Sequence, residues 1–287
     1  VGDVGRHSSI CVGSDDDPHI AYYDGTNYAL KVASLLDGGW NVTTVDDAGG
    51  SSVGEYCSIA ISRSGKLGIS NYYGGSDDLL YTSQNAWIID KLAGGIDNRC
   101  FGNTDIVLDD DNNAYISYTA NSGYELWFAT NVWGSWTYMM IDNTTGGFGG
   151  RTSIALGPDN HVHIAYYASD SGEIRYATHV GMYSWTWEKV ADTRPNWGTN
   201  DLSLKVDSDG KAHIAYSFFE DSGFTSSLRY ANNIGGTWVN ETIDDSVADT
   251  GRYPSMAIGD TGVIYISYVD QTNKNLRWSS NAIGSWV

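Results

Sequence analysis

Tryptophan recurs at a nearly constant interval along the whole chain of 287 residues. Successive members of the set are 47 to 53 residues apart, and each stands at the end of a turn rich in Gly and Ser. The six positions are Trp40, Trp87, Trp136, Trp185, Trp238 and Trp286. A fixed period of this length indicates an array of structural repeats, and it limits the fold more than any other feature of the chain.

Each repeat contains the same short apolar runs in the same order. In the fourth repeat the runs are Ser153–Leu156, His163–Tyr166 and Ile174–Ala177, and a further run after the tryptophan ends at Val190. The runs are rich in β-branched and aromatic residues and are bounded by Gly, Asp, Asn or Ser, which is the signal of strands and not of helices. Four short strands in a unit of roughly 45 residues are typical of a propeller blade.

The sequence therefore predicts an all-β fold, a six-bladed β-propeller of four-stranded antiparallel blades around a central channel. We expect one domain over residues 1–287, because a closed ring of blades shares one core. The predicted repeats are about 4–52, 53–100, 101–148, 149–197, 198–250 and 251–287. The sixth blade should lack most of its outermost strand, since only Val287 follows Trp286. We favour a closed ring with a three-stranded sixth blade; a fragment of a longer secreted protein is the alternative.

The net charge and the length of the apolar segments exclude some classes of binding partner. The formal net charge is −19, from 35 acidic and 16 basic residues, which argues against nucleic acid because phosphates would be repelled. No apolar segment approaches the roughly 20 residues that span a bilayer, so we expect no membrane insertion.

The three cysteines are too few for a disulfide framework. Cys57 and Cys100 each precede an innermost strand in adjacent repeats, and a disulfide between them is one of two readings, the other being free thiols. A disulfide would place the protein outside the cytoplasm, and we expect an extracellular protein, secreted or at the cell surface.

The repeated order of Ser-Ile-Ala, His-Ile-Ala-Tyr-Tyr, Arg-Tyr-Ala and Trp resembles tandem propeller repeats of secreted and surface proteins from bacteria and archaea. The likeness covers the whole chain. The chain is also similar, more distantly, to sialidase-like propellers, whose Asp-box turn is reduced here to Gly and Trp, as in Gly235–Trp238. A looser likeness exists to propeller lectins. These resemblances imply the fold and leave the activity open.

Arginines precede the innermost strand in three repeats, at Arg6, Arg151 and Arg252. Guanidinium groups around one channel mouth would bind a carboxylate or an acidic sugar, because arginine offers a planar fork that matches such a group. The alternative is that each arginine pairs with an aspartate in a neighbouring loop.

Sialidase-like catalysis would need an acid carboxylate and a Tyr/Glu nucleophile pair beside the arginines. Glu55 with Tyr56 or Tyr253 fits those roles, although the arginine motif that opens the first blade of true sialidases is absent. The sequence thus contains no catalytic constellation that stands out, and non-enzymatic binding is the favoured reading.

The fifth repeat departs most from the pattern. Its long loop between the second and third strands, residues 217–227, and the loop before its first strand are rich in aromatic residues, which would pack together or stack on a sugar. The candidate residues of this platform are Arg194, Trp197, Phe218, Phe219 and Phe224.

Aspartates crowd several hairpin turns, and Asp207 and Asp209 resemble the opening of a calcium loop that lacks its remaining ligands. The preference of hairpin turns for Asp explains these residues equally well, so the sequence predicts no cofactor, and calcium is the one ion for which it contains candidate ligands.

We predict an extracellular binding module for carbohydrate or a surface protein. A sialidase-like glycan-cleaving enzyme is the first alternative, and a structural segment of a larger surface protein or assembly is the second.

Overall fold

The structure is a computed structural model. The residues that it describes are 2–84, 87–92, 100–120, 125–145, 151–179, 184–193, 201–219, 225–247 and 249–287. Within these ranges, the side chains of residues 48 and 100–102 are not described.

The chain divides into two compact units, Val1–Asp142 and Asn143–Val287, and each contains three antiparallel sheets. The first unit begins with blade 1, made of β1 (Val4–Val12), β2 (Pro18–Asp24), β3 (Ala29–Leu36) and β4 (Gly39–Asp46). A short 3-10 helix, Ala48–Gly50, leads to blade 2, made of β5 (Val53–Ile61), β6 (Leu67–Tyr73), β7 (Asp78–Ser83) and β8 (Ile88–Lys91). Blade 3 is made of β9 (Cys100–Leu108), β10 (Ala114–Ala120), β11 (Glu125–Thr130) and β12 (Thr137–Asp142).

The second unit repeats this organisation. Blade 4 is made of β13 (Thr152–Leu156), β14 (Val162–Ala168), β15 (Glu173–His179) and β16 (Trp185–Asp192). Blade 5 is made of β17 (Leu202–Val206), β18 (Ala212–Phe219), β19 (Ser226–Asn232) and β20 (Val239–Asp244). Blade 6 has only three strands, β21 (Arg252–Ile258), β22 (Ile264–Asp270) and β23 (Asn275–Ser280).

The six sheets are the blades of a six-bladed β-propeller, which confirms the predicted fold class and the three-stranded sixth blade. Strands follow one another in chain order within every sheet, as expected when short turns join antiparallel neighbours. In the part of the chain that is described, no helix is long and apolar enough to cross a bilayer. The prediction of one domain over the whole chain stays a prediction.

Apolar side chains from adjacent blades form the cores of each unit. Between blades 4 and 5, for example, Tyr176 and Val190 pack with Leu204 and Ile214. Each fully buried Ile or Leu contributes on the order of 2 kcal/mol through removal of its surface from water. Because side chains alternate between the two faces of a strand, the middle blade of each unit has one apolar face for each of its two neighbours in that unit.

The blade interfaces within the two units contain Trp87, Trp136, Trp238 and Trp286 of the repeated set. The Trp238 ring lies edge-on to Tyr176 of the preceding blade, with the ring centroids 5.2 Å apart, and its Nε1 donates to Glu188 Oε1 at 2.9 Å. In the first unit, Trp136 lies 5.1 Å from Tyr81 in the same manner. Within each unit the sequence period therefore reflects a tryptophan at the interface between neighbouring blades, where it has a structural role.

Candidate functional site

The same five-residue segment occurs at the start of blades 1 and 6. It reads Asp-Val-Gly-Arg-His at Asp3–His7 and Asp-Thr-Gly-Arg-Tyr at Asp249–Tyr253. We refer to this segment, with the order Asp, any residue, Gly, Arg and an aromatic ring, as the clip. Each clip enters the innermost strand of its blade.

Two residues of each clip adopt left-handed backbone conformations. In blade 6 the φ angles are 78° at Gly251 and 52° at Tyr253, and in blade 1 they are 92° at Gly5 and 53° at His7. A side chain in this region costs about 1–2 kcal/mol, so the aromatic residue is held there by its surroundings. Register shifts in both strands accompany these conformations and change the direction of the ring and of the arginine.

Each clip contains a bidentate ion pair. In blade 6, Arg252 Nε donates to Asp249 Oδ1 at 2.7 Å and Nη2 donates to Oδ2 at 3.0 Å. In blade 1, the distances from Arg6 are 3.0 Å for Nε to Asp3 Oδ1 and 2.6 Å for Nη2 to Oδ2. The hydrogen bond that Arg252 donates to Asp249 raises the pKa of Arg252, so the guanidinium stays protonated. Nη1 of both arginines has no partner among the residues described.

A threonine in the turn between the second and third strands anchors each clip. Asp249 N donates to Thr272 Oγ1 at 2.9 Å, and Thr272 N donates back to the Asp249 carbonyl at 3.2 Å. Asp3 and Thr26 make the same two bonds in blade 1, at 2.7 and 3.2 Å. This reciprocal bonding fixes the aspartate, which in turn orients the guanidinium.

Blade 2 contains a variant clip, Ser52–Tyr56, in which glutamate replaces arginine. Ser52 Oγ donates to Glu55 Oε1 at 2.5 Å, and Tyr56 has a φ angle of 51°. The Tyr56 ring centroid lies 4.2 Å from that of His7 and 6.4 Å from that of Tyr72. The predicted catalytic pair Glu55 and Tyr56 therefore lies beside an aromatic surface in the first unit, whereas Tyr253 belongs to the second unit.

The cysteine that follows this clip corrects one prediction. Cys57 is a free thiol whose Sγ donates to the His7 carbonyl at 2.9 Å, and burial raises its pKa to about 12. The sulfur thus faces β1 of the preceding blade, whereas Cys100 begins β9 of the following blade. The predicted Cys57–Cys100 disulfide is not formed in this structure; the Cys100 side chain itself lies outside the described residues.

Arg151, the third predicted arginine, also pairs with an aspartate. Its Nε lies 2.9 Å from Asp201 Oδ1, and Tyr253 N donates to Asp201 Oδ2 at 3.3 Å. Burial raises the pKa of Asp201, against the opposing effect of Arg151. Asp201 therefore links the starts of blades 4, 5 and 6, and all three predicted arginines pair with aspartates, as the alternative reading of the sequence expects.

Two predicted platform residues are part of β18 and not of a loop. Phe218 and Phe219 still pair with Ser227 and Ser226 of β19. The Arg229 guanidinium lies 3.4 Å from the Phe218 ring centroid, and that of Arg252 lies 4.8 Å from the Phe219 ring centroid. Phe219 thus makes a cation–π contact with the arginine of the blade 6 clip. The other platform residues, Arg194, Trp197 and Phe224, lie outside the described residues.

Both carboxylate oxygens of Asp207 have partners within blade 5. Its Oδ1 accepts from Asp209 N at 2.9 Å and from Lys211 N at 2.8 Å, and its Oδ2 lies 3.0 Å from His213 Nε2. Asp209 takes part only through its backbone in these bonds. Over the described ranges, no three His, Cys, Asp or Glu side chains are grouped to hold a metal.

Comparisons with solved structures identify propellers of several activities. The chain matches AofleA from Arthrobotrys oligospora with a TM-score of 0.63 at 12% identity, covering 98% of this chain and 84% of the other. It matches the Aleuria aurantia lectin, solved with Fucalpha1-6GlcNAc, with a TM-score of 0.63 at 14% identity, covering 99% and 94%. It also matches the intramolecular trans-sialidase of Ruminococcus gnavus with a TM-score of 0.58 at 11% identity, covering 93% and 90%.

At such identities these likenesses establish the fold alone. The fold is that of six-bladed propeller lectins and of a sialidase, as the resemblance in the sequence implies. No family model matches the sequence, and no curated protein matches it either. The residues of the clip are therefore the main basis for a functional conclusion.

Proposed function

We propose that this protein is a carbohydrate-binding module and that the two Arg-containing clips are its binding sites. The observation that carries the proposal is the repeated combination of a bidentate Arg–Asp pair with an adjacent aromatic residue. Sugars are bound by this chemistry, because hydroxyl groups need paired donors and acceptors while the C–H faces of the ring pack on aromatic side chains.

The ligand that fits a clip is a neutral sugar with two neighbouring hydroxyl groups. One hydroxyl donates to the carboxylate of Asp249 while the other accepts from Nη1 of Arg252, and Tyr253, which is 53% exposed, covers one face of the sugar. The aspartate already neutralises the arginine, and the chain has a net charge of −19. Both facts disfavour the acidic sugar that the arginines alone would suggest.

The ion pair of blade 1 is a poor candidate for a purely structural role. The side chains of Arg6 and Asp3 are 62% and 50% exposed, and such pairs contribute only about 0–1 kcal/mol to stability. Fucoside-binding lectins with the same fold lend support to a carbohydrate ligand. The same proposal places the protein outside the cell, where glycans of cell surfaces and matrices are accessible.

A glycan array followed by calorimetric titration tests the proposal. Arg6→Lys and Arg252→Lys keep the charge but lose the fork, and together they should weaken binding of the best neutral glycan at least tenfold. Arg63→Lys is the matched control, because Arg63 forms an exposed pair with Asp110 outside any clip. Equal affinity in the double variant and the wild type would refute the assignment.

The variant clip of blade 2 supports a second candidate, a sialidase-like glycan-cleaving activity. Glu55 offers a carboxylate and Tyr56 a phenol on adjacent residues, and a trans-sialidase shares the fold. A fluorogenic glycoside that is cleaved by the wild type and not by Glu55→Gln would support it. No turnover with any of a panel of such glycosides would dismiss it.

A further inference from the structure

The variant clip of blade 2 carries a charge opposite to that of the arginine in the other two clips. Glu55 pairs with Tyr72 of β6 in the register in which Arg6 pairs with Tyr23 of β2, so a carboxylate stands where those clips have a guanidinium. Residues that are paired across antiparallel strands present their side chains to the same face of the sheet. Glu55 and the Tyr72 ring are therefore neighbours on one face.

The Glu55 carboxylate is held in place but is not neutralised. Ser52 Oγ, which lies 3.0 Å from the hydroxyl of the buried Tyr23, donates to Glu55 Oε1 at 2.5 Å. In the part of the chain that the structure describes, Glu55 Oε2 has no partner and Glu55 forms no ion pair. In the Arg-containing clips, by contrast, an aspartate compensates the charge of the arginine. Blade 2 thus presents one uncompensated negative charge in a defined position.

Two aromatic rings lie beside this carboxylate. The Tyr56 ring centroid lies 6.4 Å from that of Tyr72, and the two ring planes are inclined at 72°. The Tyr72 hydroxyl donates to Asp77 Oδ1, and His7 contacts the Tyr56 ring, so each ring has a neighbour that holds it. Tyr56, Tyr72 and Glu55 are all partly exposed, so a ligand has access to the corner that they form.

The charges around this corner favour a cation. Arg6 and Lys31 of the neighbouring blade each pair with an aspartate, so their positive charges are compensated. Asp77 places a second carboxylate at the Tyr72 hydroxyl, and the whole chain has a net charge of −19. The faces of aromatic rings also carry negative potential, so the rings and the carboxylate attract the same kind of ligand.

We propose that Glu55, Tyr56 and Tyr72 bind an organic ammonium group, the headgroup of choline or the protonated amine of an amino sugar. The cation lies against the two rings, and Glu55 Oε2 balances its charge. Rings suit an organic ammonium better than a metal ion, because a hard metal ion needs several oxygen ligands. The ligand is positively charged, so this proposal goes beyond the binding of neutral sugars by the Arg-containing clips and does not depend on it.

Choline and glucosamine test the two sources of such a group, each against an uncharged analogue. In saturation-transfer NMR titrations choline should bind, and neohexanol, in which carbon replaces the nitrogen, should bind at least fivefold more weakly. Protonated glucosamine is compared in the same way with N-acetylglucosamine. The sugar pair is measured in the Arg6→Lys, Arg252→Lys double variant, in which the proposed neutral-sugar sites are disabled. The cation that binds more tightly identifies the source of the ammonium group.

Substitutions separate the role of the charge from that of the ring. Glu55→Gln should weaken binding of the tighter cation at least fivefold. Glu241→Gln, which makes the same change in net charge at an exposed position of β20, should have no effect. Tyr56→Leu should weaken binding by a similar factor, whereas Tyr56→Phe, which keeps the ring face, should retain it.

Three results would overturn the proposal. Neither cation binds, the tighter cation is matched in affinity by its uncharged analogue, or Glu55→Gln has no larger effect than Glu241→Gln. The neutral-analogue comparison needs no substitution in this site, so it holds even if a variant folds poorly. Failure here leaves the carbohydrate proposal intact, because that proposal is tested with a neutral glycan and with the arginines of the other clips.

Discussion

His163 and His213 occupy equivalent positions in blades 4 and 5 but have different neighbours. Each contacts a tyrosine of the third strand through Nδ1, and the hydroxyl of Tyr230 lies 2.5 Å from His213 Nδ1. His213 also has Asp207 at Nε2, whereas blade 4 has Gly157 at the equivalent position. Burial lowers the pKa of His163 to about 4.

This environment predicts a pH dependence of stability. Between pH 6.5 and about 4 the unfolded chain binds a proton at His163 that the folded chain does not bind. The contribution of His163 to the free energy of unfolding is therefore fully present above pH 6.5, and it is lost as the pH falls towards 4. The loss from this one group is on the order of 3 kcal/mol. Urea unfolding of the wild type and of His163→Tyr, the residue found in blades 3 and 6, measures it. An equally steep pH profile in the variant would contradict this explanation.

The glycines of the two clips make a matched pair of tests. A methyl group at Gly251 would approach Leu228 N to 2.3 Å, whereas one at Gly5 would meet no atom within 4 Å. Both residues have positive φ, so Gly5→Ala should cost about 1–2 kcal/mol from backbone strain, and Gly251→Ala should cost clearly more. Denaturant unfolding gives both values. Equal losses would show that blade 5 does not restrict the clip.

At the scale of strands and blades, the period of the tryptophans predicted the repeats because the same interblade contact recurs: Trp136, Trp238 and Trp286 each pack on a tyrosine of the preceding blade. Other features could not be predicted. Tyr56 and Tyr253 are not residue types that favour a left-handed conformation, so the sequence indicated the arginines of the clip but not its backbone geometry. Phe218 and Phe219 continue β18 because β19 pairs with them, a non-local cause.

The interface tryptophans lead to a prediction for Trp238. Trp238→Ala should destabilise the protein by about 1–3 kcal/mol, because it removes the partly buried ring from Tyr176 and its hydrogen bond to Glu188. Trp238→Phe keeps the aromatic contact and should cost much less. Chemical denaturation distinguishes the two. Comparable losses would mean that the hydrogen bond, and not the ring contact, stabilises the interface.

For the molecule as a whole, the sequence alone predicts an acidic propeller and the arginines of its candidate sites, but not the aspartate and threonine that orient them. The acidic composition disfavours anionic partners, and in the proposed function the arginines, which are paired with aspartates, bind neutral ligands. Two clips of one type, one in each compact unit, predict two equivalent sites per chain. That the two units form one domain stays a prediction.

The stoichiometry of sugar binding tests the central claim most directly. Calorimetric titration with the best neutral glycan from the array should give about two sites per chain in the wild type and one in either Arg6→Lys or Arg252→Lys, because each substitution removes one fork. The double variant should show none. An unchanged number of sites in the double variant would contradict the claim that the clips bind carbohydrate.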